Sequence, residues 1–141
     1  MAARSMADRC AAASGREIKL DPDPLSVRTA REFVRHNLCD LGFPESVDDA
    51  VLIASELVTN AVREAPDTPC LLAISIDGGG PVLEVHDGSP EGVEPRPPDF
   101  VSEHGRGLHV VDALCAEWDC IQSGSGKAVI VRLATEKGER K

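Results

Sequence analysis

A chain of 141 residues with 42% apolar side chains suits one domain with a core of its own, which excludes a disordered tail and a multidomain machine. Its 24 Asp and Glu outnumber its 15 Lys and Arg, and the formal charge of -9 repels phosphate backbones and anionic lipid, setting aside nucleic acid and membranes as partners. Aromatic residues are scarce, with Phe33, Phe43, Phe100 and Trp118 but no Tyr, so a base-stacking platform is excluded and the core must be aliphatic.

In chain order, residues 1–15 are rich in Ala and Ser without periodicity and read as a flexible arm. Arg16 to Leu20 alternates polar and apolar as a short strand does, and Asp21-Pro22-Asp23-Pro24 stops it. Leu25, Val27, Ala30, Phe33, Val34, Leu38 and Leu41 recur at helical spacing, ending at Gly42-Phe43-Pro44. Ser46 with Asp49 three residues on resembles a capping box and opens a second helix that runs free of Gly and Pro to Ala65. Its stripe is Val47, Val51, Ala54, Val58 and Ala61, with Leu52, Ile53 and Leu57 widening the apolar arc.

Cys70 to Asp77 and Pro81 to Asp87 are two β-leaning runs joined by Gly78-Gly79-Gly80, the composition of a hairpin. The stretch from Gly88 to Glu103, dense in Pro and acidic residues, has the character of a functional or mobile loop. Gly105-Arg106-Gly107 then starts a helix through Leu108, Val110, Val111, Leu114 and Cys115. Trp118 to Gln122 and Lys127 to Leu133 make a closing hairpin, with 135–141 as a tail. Strands and helices that cluster in this way predict an α+β fold: a two-layer sandwich of a mostly antiparallel mixed sheet with about three helices on one face.

The cysteines are Cys10, Cys39, Cys70, Cys115 and Cys120, odd in number, with no two-residue gap between any pair. Neither a disulfide framework nor a zinc knuckle is implied. The first 15 residues hold no apolar run of signal-peptide length, so a reduced, cytoplasmic protein is expected.

Three segments could carry chemistry. Glu56 and Asn60 lie one helical turn apart, where a carboxylate and an amide oxygen could hold a hard cation and orient a nucleophile, or simply form a polar face. Asn60 stands within the apolar run from Leu57 to Val62, where an amide needs a partner. Asp87-Gly88-Ser89-Pro90 ends a strand, so its carboxylate could accept a bond from an exocyclic amine while the small residues admit a flat ring; it equally describes a turn. Gly105-Arg106-Gly107-Leu108 opens a helix whose unpaired N–H groups suit a phosphate. The histidines His36, His86, His104 and His109 share no metal-binding spacing.

Taken together, Ser55-Glu56-Leu57-Val58-Thr59-Asn60-Ala61-Val62, Asp87-Gly88-Ser89-Pro90 and Gly105-Arg106-Gly107-Leu108 resemble the boxes of the GHKL (Bergerat) ATP-binding fold, in particular the stand-alone anti-sigma-factor serine kinases, over residues 16–134. The resemblance implies that Asn60 binds a Mg²⁺ ion bridging the triphosphate and that Glu56 is the general base. It further implies that Asp87 reads the adenine amine, with Gly88 and Ser89 beside it. The loop from Gly88 to Glu103 would cover ATP, and Gly105, Arg106, Gly107 and Leu108 would cradle the phosphates. The acceptor would be a serine or threonine of an anti-anti-sigma partner, with a sigma factor as a further partner and a homodimer formed through the first strand and helix. The length is expected to leave no room for the dimerisation helices of histidine kinases or for a transducer domain.

Three positions depart from the pattern. Ser89 replaces a favoured Gly, and Glu64 stands where relatives often carry His, adding charge that either helps hold Mg²⁺ or repels phosphate. Gly126-Lys127-Ala128 lacks the Thr or Ser that contacts the base through water, so one polar contact is expected to be missing. These departures suggest an alternative: a non-catalytic ATP-binding module that sequesters a protein partner.

Overall fold

The computed structural model describes residues 15–78, 80–88, 110–123 and 126–133. The expected arm, apart from Gly15, the tail and all of the long loop but Gly88 lie outside them. In chain order the elements are β1 (Arg16–Leu20), α1 (Ser26–Leu41), a 3-10 turn (Pro44–Ser46), α2 (Val47–Glu64), β2 (Cys70–Asp77), β3 (Gly80–Asp87), β4 (Cys115–Ser123) and β5 (Gly126–Leu133). Residues 110–114 are helical and run directly into β4. The strands form one sheet in the order β1-β2-β3-β5-β4, every pairing antiparallel. This is the α+β sandwich that the pattern of elements predicts.

Local chemistry explains most boundaries. Leu25 N–H donates to Asp23 Oδ1 at 2.9 Å and Ser26 Oγ to the Asp21 carbonyl at 2.8 Å, so the Asp-Pro block turns the chain from β1 into α1. Gly42 closes α1, and the Phe43 N–H returns to the Leu38 carbonyl at 2.8 Å. Ser46 makes no side-chain cap bond to α2, because the 3-10 turn already brings the chain into helical geometry there. Asp48 and Asp49 still place negative charge on the first turn of α2, where the helix dipole favours it. Cys115 is the first residue of β4 and not the end of a helix; it pairs with Leu133, with a register shift before Glu117.

Helix α2 buries Ile53, Ala54, Leu57, Val58 and Ala61, while Leu52 is 46% exposed and falls outside the arc. At roughly 100° per residue the buried set centres between positions 54 and 57, which puts 52 on the opposite side of the helix. These residues join Ala30, Val34 and Leu38 of α1 in one core. The sheet supplies Cys70, Leu72, Ile74, Leu83, Val85, Val129, Val131 and Leu133 to it. By strand alternation the intervening residues face away from that core, where Val82, Ala128 and Ile130 form a second, smaller cluster. Glu84 and Ser75 are buried on that second face.

Candidate functional site

The site builds from the polar edge of α2. Glu56, Asn60 and Glu64 recur every four residues, so they align along one side of the helix, all half-buried beside the apolar stripe. Ser55, next to Glu56, is buried; its Oγ accepts from Arg31 Nε of α1 at 2.7 Å and donates to the Val51 carbonyl at 2.8 Å. That clasp between the helices fixes the rotation of α2 about its axis, and with it the direction of the Glu56-Asn60-Glu64 edge.

At the C-terminal end of β3, Asp87 stands in register with Lys127, the second residue of β5. Both side chains project to the helix side of the sheet, with the same parity as Val85 and Val129. Their side chains are 4% and 3% exposed, and Lys127 Nζ lies 3.7 Å from Asp87 Oδ2. The same ammonium hydrogen-bonds Glu64 Oε1 from the last turn of α2. Cys70, which opens β2, borders this group: burial foremost, and then the Asp87 charge, push its thiol up to about 11.

Two glycines let the backbones converge here. A Cβ at Gly126 would stand 2.1 Å from the Asp87 carbonyl oxygen, so only glycine lets β5 start against the end of β3. A Cβ at Gly88 would meet Thr68 Cγ2 at 2.5 Å, so the exit from β3 runs close against the connection between α2 and β2.

Lys127 therefore joins the two halves of the sequence-derived site, the polar edge of α2 and the carboxylate of β3, at one end of the sandwich. Of the other candidates, Gly88 directly follows Asp87, whereas Ser89, Gly105, Arg106, Gly107 and Leu108 lie outside the described residues. The motif reading missed Lys127, although the alternation of β5 carries the signal: if Val129, Val131 and Leu133 face the core, so does residue 127. Ala128 accordingly points the other way, into the cluster with Val82 and Ile130, and the polar side chain presented towards Asp87 is Lys127. Glu64, whose charge the sequence left with two opposite readings, is met by this ammonium.

The donor set can be tested for a cation. Among the described residues no group of three His, Cys, Asp or Glu side chains could hold a metal by itself. The Asn60 amide and Glu56 carboxylate are hard oxygen donors one turn apart, which suits Mg²⁺, an ion commonly held by one or two protein ligands together with substrate phosphates. Among the described residues no helix is long and apolar enough to cross a membrane.

The family model described as histidine kinase-like ATPase domain matches residues 20–133, from the end of β1 to the end of β5. No curated protein matches the chain.

Proposed function

Since the chain belongs to the histidine kinase-like ATPase domain family and carries its ATP-binding domain, we propose that it is an ATP- and Mg²⁺-dependent protein serine/threonine kinase of the anti-sigma, partner-switching type. Its acceptor is an anti-anti-sigma protein, its site of action the cytoplasm, and it regulates transcription by sequestering a sigma factor. The observation that carries the reading is the contact of Lys127 with both Glu64 and Asp87, which gathers the polar edge of α2 and the base-reading carboxylate at one end of the fold.

In this reading Asp87 accepts a hydrogen bond from the adenine amine, and Gly88 and Ser89 leave room for the ring. Gly105, Arg106, Gly107 and Leu108 offer backbone N–H groups and a guanidinium to the phosphates. Asn60 would hold Mg²⁺, which neutralises charge on the β- and γ-phosphates when bound. Glu56, one turn before Asn60, accepts the proton of the attacking serine or threonine hydroxyl. The hydroxyl oxygen bonds to the γ-phosphorus as the bond from that phosphorus to the bridging oxygen breaks, so ADP leaves and the partner becomes a phosphoprotein. Homodimerisation through β1 and α1 fits the exposed position of β1 at the sheet edge and of Leu25, 73% exposed at the start of α1.

The test is phosphoryl transfer from γ-labelled ATP to an anti-anti-sigma protein of the same host, with wild type and Glu56→Gln compared alongside ATP binding. Label on a serine or threonine of the partner with wild type, and loss of at least about 100-fold in Glu56→Gln with ATP still bound, supports the kinase. ATP binding without transfer in either protein favours the sequestering module instead.

A further inference from the structure

Lys127 lies in the core layer of the sheet, 5% exposed, between two carboxylates from different elements. Withdrawing an ammonium from water is expensive, and an apolar side chain of similar length would fill the same space at lower cost to the fold. Its geometry points to a further use. One Nζ proton is engaged by Glu64. The 3.7 Å to Asp87 Oδ2 exceeds hydrogen-bond length, so Lys127 neutralises Asp87 by charge while keeping donor capacity on that side. Asp87 and Lys127 thus set an acceptor and a donor side by side, on adjacent strands and in register. The bare backbone of Gly126 holds the two strand ends together at that point.

An acceptor beside a donor is the complement of an edge that offers an N–H next to a lone pair. The pairing edge of adenine has that pattern, with the N6 amine beside N1. We propose that Lys127 is a base-reading residue of the nucleotide site, donating a hydrogen bond to adenine N1 while Asp87 accepts from N6. This rests on the assignment of Asp87 to the base end of the ATP site. Because both side chains are buried, a base that cannot accept from the ammonium leaves one of its desolvated N–H groups without an acceptor, which is the condition under which hydrogen-bonding sites discriminate strongly. The same arrangement gives Glu64 a role: it anchors the ammonium and offsets its charge.

The proposal is tested by equilibrium binding of the Mg²⁺ complexes of ATP and 1-deaza-ATP, in which N1 is replaced by C–H, to the full chain and to Lys127→Met. Purine riboside triphosphate, which lacks the N6 amine, serves as the control for Asp87. Wild type is expected to bind 1-deaza-ATP about 10-fold or more weaker than ATP, the range of a hydrogen bond from a charged donor. Lys127→Met is expected to bind the two alike while still disfavouring purine riboside triphosphate. A residue that only braces the fold would weaken all the ligands together and leave the wild-type preference for N1 absent. Equal binding of ATP and 1-deaza-ATP by wild type overturns the role of Lys127 and leaves the nucleotide site standing, and it needs no variant to fold. Retention of the preference in Lys127→Met also overturns it. Failure of wild type to bind ATP at all overturns the nucleotide reading, and the base contact with it.

Discussion

Strand β3 carries two buried carboxylates three residues apart, and they live in different surroundings. Asp87 faces the helix layer at the strand end, beside the Lys127 ammonium and the edge of α2 that bears Glu64. Glu84 faces the other side from the middle of the strand and is 1% exposed; its Oε1 pairs with His86 Nε2 at 2.9 Å, and its Oε2 has no hydrogen-bond partner among the described residues. The Ser75 hydroxyl on the same face is likewise buried without one. The odd spacing of three sends two chemically similar groups to opposite layers. Burial of a carboxylate therefore does not by itself mark a site; what sets Asp87 apart from Glu84 is the company of a buried cation and of a second polar edge.

The surroundings of Asp87 are disturbed most at the glycine that brings Lys127 to it. Gly126→Ala places a Cβ 2.1 Å from the Asp87 carbonyl oxygen, so the β3–β5 pairing must open at its end. A loss of about 3 kcal/mol in urea denaturation is expected, with ATP binding abolished. Asp87→Asn comes next. It leaves Lys127 with Glu64 as its carboxylate, which should lower stability by about 1–2 kcal/mol and weaken ATP binding by about 10- to 100-fold.

Glu84→Gln sharpens the contrast from the other face. Removing a buried charge with an unpartnered oxygen should leave stability unchanged or raise it by up to about 1 kcal/mol, with ATP binding unaffected. A loss above about 2 kcal/mol in the same denaturation experiment would show that Glu84 is as well served as Asp87.

Alkaline pH probes the border of the Asp87 group through Cys70. Its thiol is raised from 9.0 to about 11, so the folded chain holds its proton at a pH where the unfolded chain releases it. The associated stability is intact below pH 9 and is lost as pH rises from 9 towards 11. Cys70→Ala should flatten that decline, as measured by denaturation across the range, whatever the cavity does to the absolute midpoint. In the wild type at neutral pH, exposed Cys39 should react with a thiol reagent well before buried Cys70.

The smallest effect belongs to an exposed pair remote from both carboxylates. The Arg16 guanidinium, by hydrogen bond and charge, holds the Asp40 carboxyl below its ordinary 3.8, so its contribution is present above that value and fades as the pH falls through it. Asp40→Asn should barely move the denaturation midpoint, and less in high salt than in low, without touching ATP binding.

Local pattern made much of the fold legible. The alternation of Arg16–Leu20 and the apolar run Cys70–Asp77 are read from the sequence with the bounds the structure has, since strands stop where Pro, Gly or acidic turns begin. The second helix is equally plain, because nothing from Val47 to Glu64 interrupts it. Its start is not, because a 3-10 turn and a capped helix can share the sequence Pro-Glu-Ser. Of the site, Glu56, Asn60, Asp87 and Gly88 are named by short motifs. Lys127 is not, because its partners Glu64 and Asp87 stand 63 and 40 positions away in the chain.

The sequence by itself determined the elements, the aliphatic core and the family-like boxes, because periodicity, turn residues and short spacings are local properties of the chain. Tertiary structure alone decided that β5 lies between β3 and β4, with Lys127 in register with Asp87. Strand order and register arise from burying several apolar faces at once, and no short stretch of sequence carries that collective choice.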